Sequence, residues 1–206
     1  MRLSGLQKIL WVFAGVAAPI FAWLLLWSDD RSDRAGTGDA PLFFADFELT
    51  DHHGMVRTDD DFAERWMLVF FGFSNCPDVC PTALSDISGW LDETGEDAAR
   101  LNVIFIAVDP ERDRVEAMAG YVGHFHPSIR GWTGPQDQIA RAADGFRATY
   151  EKVQTKDGEY TMNHTASGLP FDAEGQFVTM IDNREPREFA VPKIRRALQE
   201  EVEKTT

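Results

Sequence analysis

The sequence predicts an α/β fold, with one sheet layered between helices. Three observations carry that expectation. Two uninterrupted apolar runs, WMLVFFGF at 66–73 and NVIFIAV at 102–108, have the character of strands buried on both faces. Helix-like segments follow both runs, at about 81–91 and 112–125. Apolar residues make up 44% of the 206, enough for a real core and too many for a disordered chain. A chain of that length holds one domain, at most two.

The N-terminus is a separate object. Residues 9–27 (ILWVFAGVAAPIFAWLLLW) carry no charge. At about 1.5 Å per residue they span roughly 28 Å, close to a hydrocarbon core of about 30 Å. Trp11, Trp23 and Trp27 lie towards the two ends, where amphipathic rings favour the headgroup layer. A core helix at the edge of a small domain would show a polar face, which this stretch lacks. A cleaved signal peptide would be shorter and end in small residues, and Leu24-Leu25-Leu26-Trp27 offers no such site. The expectation is one uncleaved transmembrane helix within residues 1–27. Arg2 and Lys8 precede it, so the N-terminus stays cytoplasmic and the rest is exported. The chain does not open with an Arg- and Ser-rich presequence, which favours a bacterial inner membrane with a periplasmic C-terminal domain. That compartment is oxidising, so a cysteine pair there can join unless it is kept reduced. Residues 28–40 (SDDRSDRAGTGDA) read as a polar tether.

Residues 41–206 are expected to form a single domain. Apolar stretches at 44–49 and 55–58 flank Asp51-His52-His53-Gly54, a turn-like cluster, and predict a β-hairpin. The run at 66–73 is a buried strand, followed by a helix over about 81–91. The run at 102–108 is a second buried strand, ended by Asp109-Pro110. A helix over 112–125, a short strand at 129–132 and a helix over 136–150 follow. Residues 161–181 hold strand-like pieces around a second turn, Asp172-Ala173-Glu174-Gly175, and a charged helix over 191–204 closes the chain. This order is that of a thioredoxin-like three-layer sandwich with an added β-hairpin.

Charge and cysteine count narrow the function. Two cysteines cannot build a disulfide-rich scaffold, a four-cysteine zinc site or an ordinary iron–sulfur site. The formal charge is -14, and setting aside Arg2 and Lys8 leaves -16 on residues 28–206. Such a surface repels nucleic acid and anionic lipid, while a cationic protein or a metal cation is tolerated.

The chemistry concentrates in Cys76-Pro77-Asp78-Val79-Cys80-Pro81, between the first buried strand and its helix. Pro81 fits the first helical position, which makes Cys80 the cap and leaves Cys76 in the preceding loop. Both sulfurs would then lie near the positive end of a helix dipole, which favours thiolate. Two bland readings stand beside the functional one. Cys80 shares a helical face with Leu84, Ile87 and Leu91 and so fits a small core residue. The pair also fits a plain disulfide, although so small a loop gains little from closure. Thiolates are soft ligands suited to Cu(I), and a third donor would tighten the site. His52 and His53 fall in a turn, where solvation is the ordinary fate. His124 and His126 end a helix, where packing and the dipole account for them. His164 stands apart, in Tyr160-Thr161-Met162-Asn163-His164-Thr165-Ala166, and is either a structural histidine or a distant ligand.

Taken together, FFGFSNCPDVCPTAL (70–84), VDPERD (108–113), GWTG (131–134) and NHTA (163–166) resemble the Sco/SenC family in order through most of 41–206. Its members are membrane-anchored, thioredoxin-like copper proteins that help assemble the copper centre of cytochrome c oxidase. The resemblance implies three copper ligands at Cys76, Cys80 and His164, with Asp78 and Asp109 auxiliary. It departs after the histidine, where Gly168 and Pro170 interrupt an expected apolar strand. Proline in a strand implies an edge or a break.

The function expected from this resemblance is a membrane-anchored metallochaperone. It would hold one copper per chain, Cu(I) or Cu(II), between two thiolates and one imidazole. A Cys76–Cys80 disulfide would release the metal. Its partners would be the oxidase subunit with the dinuclear copper centre, copper donor proteins and thiol reductants. The rival expectation is a thiol–disulfide oxidoreductase using Cys76 and Cys80 as its redox pair, with Cys76 attacking and no metal needed. A peroxidase is disfavoured by acidic surroundings without a nearby arginine, and a binding module without catalysis stands as a further alternative.

Overall fold

The computed structural model describes residues 46–62, 66–172, 175–182 and 184–204. The expected anchor and tether lie outside these residues. Among them, no helix is long and apolar enough to cross a membrane.

A six-stranded mixed sheet organises the domain, and its two central strands are the apolar runs. Strand β3 (Trp66–Gly72) is buried along its whole length, and β4 (Leu101–Ala107) at every position but one. Since successive side chains of a strand point to opposite faces, both faces of the sheet are covered there. The two strands pair in parallel from Trp66↔Leu101 to Gly72↔Ala107. Helix α1 (Val79–Thr94) makes the crossover between them. Helix α2 (Val115–Val122) leads from β4 to β5 (Ile129–Thr133), which pairs in parallel with β4. Helix α2 packs on β5, and Gly131 is the residue that lets it, because a Cβ there would collide with the Met118 side chain.

The predicted hairpin is present as β1 (Glu48–Asp51) and β2 (Val56–Thr58). It joins the sheet antiparallel to β5 through Thr50↔Thr133 and Asp51↔Trp132. Its turn is built by Asp51, whose carboxylate is buried. It accepts from the His53 and Met55 N–H groups at 2.9 Å and from Arg57 Nε at 2.8 Å. Gly54, at φ 84°, supplies the left-handed backbone. At the opposite edge lies β8 (Leu169–Phe171), antiparallel to β3 with Leu68↔Pro170 in register. Pro170 therefore occupies an edge strand, one of the two fates its chemistry allows.

Three expectations about elements are corrected. Helix α1 begins at Val79 with Asp78 in the cap position, so Cys80 and Pro81 both sit inside the first turn. Pro81 is tolerated there because a first-turn N–H has no intrahelical partner. The helix expected over 136–150 stops early. Helix α3 (Gln136–Gly145) ends where Phe146 plugs into the core and Arg147 turns left-handed at φ 52°. The chain then forms a strand the sequence reading missed, β6 (Tyr150–Gln154). It pairs antiparallel with β7 (Tyr160–His164) from Tyr150↔His164 to Gln154↔Tyr160. These two strands are a sheet of their own, outside the six-stranded one. The closing helix α4 starts earlier than expected, spans Arg187–Lys204 and packs against α1.

Candidate metal centre

The cysteine loop leaves the C-terminal end of β3, the usual place for a site on a parallel sheet. Gly72 ends the strand and lets the Cys80 sulfur come in close, since a Cβ there would lie 2.9 Å from Sγ. The chain then turns tightly, with Cys76 N–H donating to the Phe73 carbonyl at 3.2 Å. Asp113, fully buried, pins this turn. Its carboxylate accepts from the Ser74 N–H at 3.0 Å and from the Ser74 hydroxyl. In the first turn of α1 the Cys80 N–H donates to Cys76 Sγ at 3.4 Å, so a free helix-end amide serves the outer sulfur.

The third donor arrives from the separate hairpin. His164, the last residue of β7, places Nε2 3.5 Å from Cys80 Sγ. Its Nδ1 lies 3.0 Å from the Thr165 carbonyl oxygen, an acceptor only, which assigns the proton to Nδ1 and leaves the Nε2 lone pair facing the sulfurs. The rings of Phe70 and Phe73 meet the imidazole edge-on, at 6.3 and 5.8 Å between centroids. One ligand atom each from Cys76, Cys80 and His164 lie within 4.8 Å of one another. Among the described residues this is the only such group of three metal-capable side chains.

Electrostatics differ across the trio. Cys76 is half-buried and Cys80 fully buried, and both are free thiols. Burial pushes the Cys80 thiol well above its ordinary range, and the neighbouring Cys76 sulfur adds to that. The expectation that the helix end makes both sulfurs thiolates is therefore corrected for Cys80. Desolvation there outweighs the dipole. Burial also lowers His164, against a smaller upward pull from its Thr165 contact, so the imidazole is neutral and able to donate a lone pair. Two sulfurs and a neutral imidazole form a soft donor set, fitted to copper(I) and ill-suited to magnesium or calcium.

The two aspartates marked as auxiliary are not among the three grouped donors. Asp78 is exposed in the cap position of α1 and makes no side-chain cap bond. Asp109 is buried and accepts from the Tyr160 hydroxyl at 3.0 Å. His52, His53 and His126 make local contacts. His52 Nδ1 accepts from Gly131 N–H at 3.2 Å with the His53 ring 3.9 Å away, and His126 Nδ1 accepts from Ser128 N–H at 3.1 Å. Sequence reasoning missed Asp113 and Tyr121. Asp113 lay inside the quoted VDPERD motif, which was the available signal. Tyr121 carries no signal of its own. Its hydroxyl is buried with no hydrogen-bond partner among the described residues, and burial followed by the two sulfurs pushes its phenol far up.

Comparison with known proteins agrees with this geometry. The SCO1/SenC family matches residues 35–199. The mouse protein named SCO2 homolog, mitochondrial, is 37% identical over 154 residues, which are 73% of this chain and 60% of that protein. The chain thus spans about 60% of that relative's length. A structure of Bradyrhizobium japonicum ScoI with copper bound is similar with a TM-score of 0.70 at 40% identity, covering 76% of this chain and 99% of that one. Yeast Sco1 with copper bound gives a TM-score of 0.69 at 30% identity, covering 77% and 90%.

Proposed function

The chain belongs to the SCO1/SenC family, and from that premise we propose that it is a membrane-anchored copper metallochaperone serving the dinuclear copper centre of cytochrome c oxidase. The observation that carries the reading is the convergence of Cys76, Cys80 and His164 within 4.8 Å. Copper is the cargo. Cys76 and Cys80 give up their protons to bind it, and His164 offers Nε2, already deprotonated. The charge of the metal offsets the cost that burial places on a Cys80 thiolate. Handover proceeds by ligand exchange to thiols and imidazoles of the oxidase subunit. The anchor within 1–27 and the tether of 28–40 keep the domain on the periplasmic face of a bacterial inner membrane, beside that acceptor and within reach of copper donor proteins. Asp78 and Asp109 support the site without ligating.

Thiol state gates the cargo. The Cys76 thiolate attacks one sulfur of a partner's disulfide, giving a mixed disulfide and freeing one partner thiolate. Cys80 then attacks the Cys76 sulfur, closing Cys76–Cys80 and freeing the second partner thiol. Two electrons pass to the partner, and the pair no longer offers thiolates to copper. Thiol reductants reverse the step. A second reading, a thiol–disulfide oxidoreductase acting on exported cysteines, is favoured by one observation: Cys76 is the more exposed sulfur and takes the helix-end amide.

A titration of the full chain in detergent, reduced and anaerobic, tests the proposal. One Cu(I) per chain is expected, with affinity sharply reduced in His164→Ala. Binding indifferent to His164 sinks the chaperone reading. Disulfide reductase activity that persists in His164→Ala supports the second.

A further inference from the structure

His164 rides on a hairpin that takes no part in the six-stranded sheet. What holds that hairpin against the cysteine half of the site is therefore a separate question. Tyr160, Met162 and His164 alternate along β7 and share its inward face. Met162 is buried in the core. Tyr160, at the far end of the strand from His164, rests on the segment 109–113 between β4 and α2.

Arg112 is the centre of that contact. Its guanidinium carbon sits 3.6 Å from the Tyr160 ring centroid, and Nη1 donates to the Tyr160 carbonyl at 3.0 Å. Nη2 reaches Glu159 at 3.5 Å, and Nε lies 3.8 Å from Asp109. Lys152 of β6 covers the same ring at 3.9 Å and pairs with Glu111 at 2.8 Å. The Tyr160 hydroxyl closes the set by donating to Asp109 at 3.0 Å. The same short segment also reaches the other half of the site. One residue beyond Arg112, Asp113 holds Ser74 in the cysteine turn. Segment 109–113 is thus bonded on one side to the loop bearing Cys76 and on the other to the arm bearing His164.

We propose that Arg112, through its stack on Tyr160, is a positioning residue that braces the β6–β7 arm and so sets the place of His164 relative to the two sulfurs. The proposal rests on the copper reading of the trio. Without Arg112, the arm loses the stack on Tyr160 and the bonds to the Tyr160 carbonyl and Glu159, and keeps Met162, the Lys152–Glu111 pair, the Tyr160–Asp109 bond and the Thr149–Thr165 bonds at its base. The imidazole then samples positions away from the sulfurs, and metal binding must first restore the place of His164.

The test uses the full chain in detergent. Cu(I) affinity is measured by competition with a chromogenic chelator for wild type, Arg112→Ala, His164→Ala and the double variant. Loss of a residue that orients a ligand typically lowers metal affinity about 10–100-fold. Arg112→Ala is expected to weaken binding about tenfold, or about 1.4 kcal/mol, and to change nothing further once His164 is gone. Equal losses in both backgrounds, or no loss in either, overturn the brace. Hydrogen exchange on the metal-free protein gives a readout independent of copper: amides of 150–154 and 160–164 should exchange faster in Arg112→Ala while those of β3 and β4 do not. Unchanged exchange in the arm also overturns it. If Arg112→Ala fails to fold, Arg112→Lys takes its place. It keeps the charge, loses the flat stack and the double reach, and is judged by the same two criteria. If wild type itself binds no copper through His164, the function proposed above fails, and the exchange experiment still decides whether Arg112 braces the arm.

Discussion

Gly72→Ala probes how tightly the cysteine pair is built into the core. A Cβ at Gly72 would lie 2.5 Å from Phe105 Cε2, 2.9 Å from Phe105 Cζ and 2.9 Å from Cys80 Sγ. All three distances are far inside van der Waals contact, so something has to move. Phe105 cannot retreat easily, because it is fully buried and held by Phe70 at 6.0 Å and Tyr121 at 5.6 Å between ring centroids. Relief therefore falls on Cys80 and the first turn of α1. Overpacking of this kind costs about 1–3 kcal/mol. At about 2–4 °C per kcal/mol for a domain of this size, a cost of about 2 kcal/mol lowers Tm by roughly 4–8 °C. The matching control is Gly158→Ala. Gly158 sits at φ 87° with nothing within 4 Å of a would-be Cβ, so it loses only about 1 kcal/mol to backbone strain. Thermal melting of the reduced full chain in detergent compares the two. Cu(I) affinity should fall in Gly72→Ala, whose sulfur has shifted, and hold in Gly158→Ala. A Gly72→Ala protein that melts no lower than Gly158→Ala refutes the packing argument.

Two further substitutions separate stability from the site. Burial alone would raise the Asp51 carboxyl, but the Met55 N–H, the Arg57 guanidinium and the His53 N–H outweigh it and hold Asp51 below the usual carboxylate value of 3.8. Its stabilising contribution is therefore complete above that value and is lost as pH falls below it, through the lower folded-state pKa. Asp51→Ala should cost about 1–3 kcal/mol at neutral pH by stranding its donors, with the gap to wild type closing in acid and copper affinity unchanged; urea melts at several pH values measure it. Asp113→Asn turns one acceptor towards Ser74 into a donor. It is expected to cost about 1–3 kcal/mol and to loosen the turn that carries Cys76, seen as faster alkylation of the Cys76 thiol.

The sheet centre was legible because burial on both faces leaves a plain mark: 66–73 and 102–108 contain no charged residue. The cysteine loop was legible for a similar reason, since it sits at the end of one of those strands. The β6–β7 arm was not. Its first strand, Tyr150-Glu151-Lys152-Val153-Gln154, is mostly exposed, so no hydrophobic period marks it and helix 136–145 runs on smoothly in sequence. What stops that helix is tertiary: Phe146 filling the core and Arg147 taking a left-handed turn. The missing element was also the one that brings His164 home. From the residues alone His164 could be read either way, because its nearness to Cys80 across 84 positions depends on an arm the pattern does not announce. The charge state of Cys80 was misjudged for a related reason. Sequence shows the helix start, but the depth of that start in the core is a property of the packed fold.

The site is thus a junction between two differently rooted pieces. Cys76 and Cys80 are tied to the central sheet through β3, Gly72 and the Asp113–Ser74 bonds. His164 is tied to it through the packing of one face of a two-stranded arm, the contacts along segment 109–113 and the Gln136–Tyr150 bond. A three-donor site assembled this way can lose its imidazole without disturbing its sulfurs, while the reverse is not true. If the chain carries and hands over copper as proposed, that asymmetry sets an order. An incoming ligand would then displace His164 first, at the end of an arm, and the sulfurs would follow by exchange. Removing the imidazole in His164→Ala should therefore speed copper release to a competing thiol, and a release rate unchanged from wild type would show that a sulfur leaves first.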